Sequence, residues 1–267
     1  TVPATGEINI SGGQVGLVNT ARSEGAESMT TITGGTVAGF KGEVGELIVD
    51  GGTITGEVTI LSSAGTDVEY VVDENGKYVE KVELPVIATV GAAEFTDIHE
   101  AFAAAINKTV VLLEDVELTK SIEVQGTYAV TVQGQGKTIR FVGEENGFVV
   151  SYGAVLTLDE GLTIVGDGAN VCPVYIEDAT VISSATIETT SGNACAPIMT
   201  HNRYSANLTV EGGSIISGNS EVVAINWKNP GTLAVNAGTI EGASAIYLQC
   251  GALNINGGKF AGKNSTV

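Results

Sequence analysis

The chain alternates apolar and polar residues in short runs, and these runs recur with a common form. Each repeat combines a strand of period two, a small polar or glycine turn and one further apolar residue. This pattern predicts three stacked coils before residue 60, because one such unit cannot bury its apolar side alone. The repeats are INISGGQV (8–15), TTITGGTV (30–37) and LIVDGGTI (47–54), with Ile10, Ile32 and Val49 at the last strand position before the turn.

Two hairpins are predicted after these coils. Residues 67–83 hold two alternating runs joined by Asn75-Gly76, a dipeptide that favours a tight turn between antiparallel strands. Residues 86–90 and 94–95 form a second, smaller pair of apolar runs. We expect the first hairpin to end the first part of the chain and the second to lead into a helix.

One helix is predicted, in the stretch 86–118. Asp97 and Glu100 have the spacing of a capping box. The apolar residues that follow lie three or four positions apart and form one stripe. The members of the stripe are Ile98, Ala101, Phe102, Ala105 and Ile106. A helix this short is unstable alone, so its stripe is expected to lie on the apolar run 110–113 and to cover the end of a stack.

The repeats return after residue 119 and become longer. Equivalent positions are separated by 20 to 28 residues, which is room for three short strands per coil. This spacing predicts an all-β fold, a parallel β-helix with one short helix. The repeats are VTVQGQGKTI (130–139), LTLDEGLTI (156–164), TVISSATI (180–187), LTVEGGSI (208–215), LAVNAGTI (233–240) and LNINGGKF (253–260). Their aligned positions are Val132, Leu158, Ile182, Val210, Val235 and Ile255.

A second strand recurs in the same phase within these coils. Alternation predicts that one residue of each strand points inward and the next points to solvent. The inward set is Phe148, Val174, Ile198, Ala224 and Ile246, and the outward set is Val149, Tyr175, Met199, Ile225 and Tyr247.

The pattern divides the chain into three segments. Residues 1–85 are predicted to be a short β-solenoid segment that ends in a hairpin. Residues 86–118 hold the second hairpin and the capping helix, and residues 119–267 hold the β-helix coils. The sequence leaves open whether the first and last segments form one continuous solenoid.

The net charge of the chain limits the classes of molecule that it is expected to bind. The chain has 31 acidic and 12 basic residues, a formal net charge of −19. Residues 1–118 carry 19 acids and 5 bases, so most of the excess lies there. Such a charge repels a phosphate backbone, which excludes nucleic acid as a partner. Two interpretations of the acidic residues remain: they form a solvated surface, or they attract a cationic partner. No apolar run has the length of a membrane span, so direct membrane insertion is not expected.

Three cysteines are present, and they lack the CxxC spacing of zinc or redox sites. Buried free thiols are one interpretation. The other is a disulfide between Cys172 and Cys195, because their separation of 23 residues is close to one coil.

Residues 86–140 resemble a pattern found in large bacterial cell-surface proteins. The matching stretches are ATVGAAEFTDIHEAFAAA, TVVLLEDVEL, SIEV and VTVQGQGKTI. In those proteins a helix-bearing cap precedes a right-handed, pectate-lyase-like parallel β-helix. The resemblance implies a right-handed β-helix and an extracellular or cell-surface location, in a fragment of a larger secreted protein. It brings no catalytic motif.

The coils show no pattern typical of an enzyme. Hydrolysis of a glycosidic bond uses two carboxylates at a controlled separation. Beyond Asp178 the acids are few and scattered, namely Glu188, Glu211, Glu221 and Glu241. His99 and His201 lie in different elements, so no metal site is predicted. No cofactor is expected, because the glycines recur at coil corners and do not form a phosphate loop.

An aromatic column is the one candidate site. In a chain with 5% aromatic residues, four side chains are predicted to share one outer face, with Arg203 and Tyr204 nearby. They are Tyr175, His201, Trp227 and Tyr247. Flat aromatic faces beside polar groups suit sugar rings. The alternative is that a side loop or a neighbouring module covers them.

The expected function is therefore a non-catalytic cell-surface or extracellular β-helix module, adhesin-like or a structural stalk. The first alternative is a carbohydrate-binding module that uses the aromatic column, and the second is a polysaccharide lyase or hydrolase. The expected partners are glycans, host proteins or neighbouring surface proteins. The sequence leaves the ligand and the oligomeric state open.

Overall fold

A computed structural model describes residues 6–20, 28–43, 45–49, 51–56, 58–61, 67–72, 78–80 and 84–263. The chain divides into two compact units, Thr1–Leu84 and Pro85–Val267.

The described residues of the first unit form one sheet of seven strands. In it β1, β2, β3, β4 and β5 pair in parallel, and β6 and β7 are added in antiparallel orientation. The strands are β1 (Gly6–Thr20), β2 (Ser28–Glu43), β3 (Gly45–Val49), β4 (Thr53–Ile54), β5 (Val58–Leu61), β6 (Asp67–Val72) and β7 (Tyr78–Glu80).

The register of this sheet confirms the predicted alignment of the first three repeats. Ile10 pairs with Ile32, and Ile32 pairs with Val49. Ile32 is fully buried at the centre of a small apolar cluster. The turn after these positions requires glycine: Gly35 has φ +81°, and a Cβ there would lie 2.5 Å from the carbonyl oxygen of Gly13.

The predicted hairpin is present as the antiparallel pair β6 and β7, in which Val71 lies opposite Val79. Its Asn75-Gly76 turn falls outside the described residues.

The second unit begins with β8 (Ala88–Val90), β9 (Ala93–Phe95) and the helix α1 (Ile98–Ala104). Three strands per coil follow. They are β10 (Lys108–Leu112), β11 (Val116–Leu118), β12 (Ile122–Gln125), β13 (Ala129–Gln133), β14 (Thr138–Phe141), β15 (Phe148–Ser151), β16 (Val155–Leu158), β17 (Thr163–Gly166), β18 (Val174–Ile176), β19 (Thr180–Ser183), β20 (Thr186–Thr189), β21 (Ile198–Thr200), β22 (Asn207–Val210), β23 (Ser214–Ser217), β24 (Ile225–Trp227), β25 (Thr232–Val235), β26 (Thr239–Gly242), β27 (Ile246–Leu248), β28 (Ala252–Ile255) and β29 (Lys259–Gly262).

These strands form three parallel sheets, because every third strand pairs with its counterpart in the next coil. One sheet runs from β10 through β13 to β28, a second from β11 to β29 and a third from β12 to β27. This arrangement is a parallel β-helix, and it confirms the fold class predicted from the repeat spacing. The interior is one continuous apolar core that includes the helix and reaches Ile240.

The hairpin and the helix together close the first coil. β8 pairs in antiparallel orientation with β10, so the edge of that sheet is occupied by a strand. The helix packs on β8, β9 and β12, and its Phe102 ring lies edge-on to Phe148 at 5.5 Å between centroids. The helix was predicted to lie on the run 110–113, but its main contacts are with β8, β9 and β12, and it is β8 that pairs with that run.

The helix begins as predicted and ends earlier than predicted. The carboxylate of Asp97 accepts hydrogen bonds from the amides of His99 and Glu100. The helix ends at Ala104, and Asn107 has φ +54°, which turns the chain into β10. Ile106 is therefore 54% exposed and does not belong to the buried stripe.

Two aligned positions were wrong by one residue. Ser183, not Ile182, pairs with Leu158 and Val210 and points inward. The corner that follows, Ser184-Ala185, contains no glycine, whereas Gly213 and Gly238 turn the next two coils with positive φ. Without a left-handed residue this corner is one residue shorter, and a one-residue shift reverses the direction of every side chain.

The second shift lies in β24. Ile198 pairs with Ile225, not with Ala224, so Ile225 points inward and Asn226 takes the outward position. The same shift turns Trp227 inward, where it pairs with Leu248.

Candidate functional site

The outer face of the third sheet carries the aromatic residues of the candidate site. Tyr175 lies in the middle of β18 and points outward, in register with Val149 and Met199 on the neighbouring strands. His201 follows β21 directly, and its amide donates to the carbonyl oxygen of Ile176. The hydrogen bonds between neighbouring strands therefore fix the backbone positions of Tyr175 and His201.

Three rings form a contact cluster on this face, and we call Tyr175, His201 and Tyr204 the aromatic cluster. The Tyr175 and His201 rings meet edge to face, with centroids 6.4 Å apart and planes at 83°. The His201 and Tyr204 rings are 5.4 Å apart and tilted by 34°. The amide of Arg203 donates to Nδ1 of His201 at 3.1 Å, which holds the imidazole in place and leaves Nε2 as the donor of the neutral ring.

The electrostatic setting keeps the Tyr175 hydroxyl protonated. Partial burial raises the pKa of Tyr175, and the nearby carboxylate of Glu177 and the thiol of Cys172 act in the same direction. At neutral pH the phenol is therefore a hydrogen-bond donor on a half-buried ring, which suits contact with a neutral polar ligand.

Trp227 does not belong to this site. Its side chain is fully buried in the core, because the register of β24 places it on the inner face. Lys228 occupies the position that alignment had given to Trp227, and its amide donates to Oγ1 of the buried Thr200 at 2.8 Å. Both Ile225 and Trp227 are large apolar residues, which is the signal in the sequence that favours this phase of β24.

Tyr247 is exposed but lies apart from the aromatic cluster. It pairs with Asn226, which pairs with Met199, which in turn pairs with Tyr175. Three strand steps of about 4.8 Å separate the two tyrosines by roughly 14 Å. The structure thus brings together Tyr175 and His201 of the four predicted residues, and Tyr204, which was predicted to lie nearby, contacts His201.

No family model matches this chain, and neither a curated protein nor a solved structure matches it. The resemblance of residues 86–140 to bacterial surface proteins accordingly stays a prediction.

The cysteines are unpaired in the structure. Cys172 is buried, Cys195 is half-buried and Cys250 is exposed. Burial raises the pKa of the Cys172 thiol, and Cys195 acts in the same direction. The Cys172 thiol donates to the carbonyl oxygen of Val174 at 3.1 Å, which matches the interpretation of buried free thiols for that residue.

The outer face of the second sheet carries the carboxylates of the coils in separate positions. Glu188 and Glu241 are two strand steps apart, roughly 10 Å, with Ile216 between them. On the same face Arg140 binds Asp167 at 2.8 Å.

Among the described residues, no three His, Cys, Asp or Glu side chains are grouped so that they could hold a metal ion. No helix in the described part of the chain has the length and apolar character needed to cross a bilayer.

Proposed function

We propose that this chain is a non-catalytic β-helix module that serves as an adhesin-like or structural stalk element on a bacterial cell surface. The observation that carries the proposal is the continuous strand pairing from coil to coil in the second unit. Each coil from β10 to β29 repeats the same strand pairings over one continuous core, so the unit is a rigid scaffold along which outer residues can be displayed. Glycans or other surface proteins are the proposed partners.

The ion pairs of two carboxylates support a scaffold over an enzyme. A glycosidase needs two carboxyl groups available to the sugar at a controlled separation. The carboxylate of Glu241 binds Lys263 at 3.6 Å, and that of Asp167 binds Arg140 at 2.8 Å.

Assay of the purified chain on acidic and neutral polysaccharides tests this function against a lyase or hydrolase. We expect neither reducing ends nor unsaturated products to be released, and we expect antibodies against the chain to label intact source cells. Product release that scales with protein and disappears on unfolding would contradict the non-catalytic proposal. Absence of label on intact cells that is restored by lysis would contradict the surface location.

The second candidate function is carbohydrate recognition, and the aromatic cluster favours it. Tyr204 is 48% exposed, and its ring contacts His201, which in turn contacts Tyr175, so an exposed aromatic ring lies near polar donors. Sugar rings bind to such faces through their C–H groups while their hydroxyls bond to the polar rim.

A glycan array with tyrosine variants tests the second candidate. Tyr204→Ala should weaken binding about tenfold, the equivalent of roughly 1.4 kcal/mol for one aromatic contact, and Tyr175→Ala should act in the same direction. Tyr152→Ala is the matched control, because Tyr152 is an exposed tyrosine outside the cluster. Equal signals for all four proteins, or no signal from the parent chain, would remove this candidate.

A further inference from the structure

Four side chains lie side by side on the outer face of the third sheet, and we call them the outer patch. Tyr175 and Glu177 lie on one coil, and Met199 and His201 lie on the next. Tyr175 is in register with Met199. Glu177 and His201 each follow their strand directly, and each donates its amide to the preceding coil, so they also occupy equivalent positions. All four are half-buried and keep part of their surface open to solvent.

The two rings of the outer patch form a corner that can hold a cation. The ring planes of Tyr175 and His201 meet at 83°, with centroids 6.4 Å apart. A cation is attracted to an aromatic ring when it lies within about 6 Å of the centroid, and a position in this corner meets that condition for both rings. The thioether of Met199, beside Tyr175, adds a soft apolar surface against which methyl groups can pack.

This corner is formed before any ligand binds. Tyr175 is carried by a strand that is paired on both sides. The imidazole of His201 is held by the amide of Arg203 at 3.1 Å and by contact with the Tyr204 ring, 5.4 Å between centroids. Binding to rings that are already in place costs less conformational entropy than binding to mobile ones.

The charge beside the rings is negative. Burial raises the pKa of the Tyr175 hydroxyl, and the carboxylate of Glu177 raises it further. Burial also raises the pKa of Cys195, and there the ammonium of Lys228, one coil beyond His201, opposes the rise. The carboxylate thus acts on the tyrosine of the corner, whereas the lysine acts on the cysteine.

The carboxylate of Glu177 is available to a ligand. Within the described part of the chain it forms no ion pair, in contrast to the carboxylates of Asp167 and Glu241. A half-buried carboxylate is stabilised by a cation that binds next to it. The net charge of −19 on the whole chain also favours the approach of a cation.

The composition of the outer patch favours one class of cation. A primary ammonium group has three N–H donors to satisfy, and Glu177 is the one carboxylate of the patch. A quaternary ammonium group has no N–H donor and carries its charge on methyl groups. Aromatic faces and a thioether can therefore replace its water shell.

We propose that the outer patch binds a quaternary ammonium group, such as that of choline. Tyr175, His201 and Met199 surround the methyl groups, and Glu177 balances the charge. This function goes beyond a stalk and beyond glycan recognition, because the ligand is recognised by its positive charge.

Titration with choline, followed by nuclear magnetic resonance of the methionine methyl groups, tests the proposal. The chain has two methionines, Met199 in the outer patch and Met29 in β2, so the second signal is an internal reference. Choline should shift the Met199 signal and leave that of Met29 unchanged. The neutral isostere of choline, in which carbon replaces nitrogen, should bind about tenfold more weakly because it lacks the charge.

Three variants locate the binding. Tyr175→Ala should weaken choline binding about tenfold through loss of one ring. Glu177→Gln keeps the size of the side chain and should weaken binding by a smaller factor, which falls as salt is raised. Tyr152→Ala is the matched control, because Tyr152 is an exposed tyrosine outside the patch, and it should bind like the parent chain. Circular dichroism establishes that each variant is folded.

Vesicles distinguish two sources of the group. Co-sedimentation with phosphatidylcholine vesicles, but not with phosphatidylglycerol vesicles, would assign the group to a lipid headgroup. Choline binding without co-sedimentation would assign it to a soluble molecule, and both results agree with the proposal. An unshifted Met199 signal at saturating choline, or equal binding of choline and its isostere, would overturn it. Neither result would affect glycan recognition, which does not depend on the charge of the ligand.

Discussion

At the scale of single residues, Trp227 decides which side of β24 faces the core. The segment Ala224-Ile225-Asn226-Trp227 alternates in either phase, so alternation alone does not decide which side faces the core. Burying Ile225 and Trp227 removes more apolar surface from water than burying Ala224 and Asn226, and the structure adopts that phase. The candidate site consequently loses its largest ring to the core.

Trp227 is the single tryptophan of the chain, so its fluorescence reports on this placement directly. We expect emission typical of an apolar environment and weak quenching by acrylamide in the folded chain, with both changing on unfolding. Emission and quenching equal to those of the unfolded chain would place the indole in solvent.

Truncation of the same side chain should be a core mutation. Trp227→Ala is expected to lower the free energy of unfolding by about 3 to 5 kcal/mol, because it removes a fully buried aromatic ring and leaves a cavity. Tyr204→Ala is the control on the exposed face and should change stability little. Urea unfolding followed by circular dichroism measures both, and equal small effects would contradict the buried position.

At the scale of elements, the sequence predicts strands, turns and the helix start better than it predicts register. The repeats 8–15, 30–37 and 47–54 align as predicted because their turns have equal length and the same glycine pair. The predicted register is wrong at Ile182, because the corner that follows the strand lacks glycine and is one residue shorter than those of the next two coils. Corner length is a property of backbone geometry at one or two residues, and the apolar pattern of the strands does not encode it.

The closing of the first coil shows the same limit. The pattern locates the hairpin and the helix, but apolar runs alone do not show that β8 pairs with β10 and shares this end with the helix.

The aromatic cluster is likewise only partly predictable from the sequence. Tyr175 and His201 follow from the alignment of β18 and β21, whereas the ring contact of Tyr204 depends on a loop with no repeat.

The end of the helix gives a matched pair of variants. Phe102→Ala should destabilise the second unit by about 3 to 5 kcal/mol, because the ring is buried against Phe148. Ile106→Ala should have a much smaller effect, because Ile106 lies beyond the helix and is exposed. Urea unfolding followed by Trp227 fluorescence measures the stability of both variants, and similar losses would contradict the exposed position of Ile106.

At the scale of the whole molecule, the second unit is a stack whose first coil is covered. A strand and a helix lie over that coil. In a stack stabilised by contacts between neighbours, an interior coil has two neighbours. Local stability should therefore be high from β13 to β26.

Amide hydrogen exchange of the chain tests the β-helix most directly. We expect slow exchange in every strand from β13 to β26, as one continuous block. Rapid exchange in β16, β19 or β22, within the middle of the stack, would contradict the parallel β-helix on which the proposed function depends.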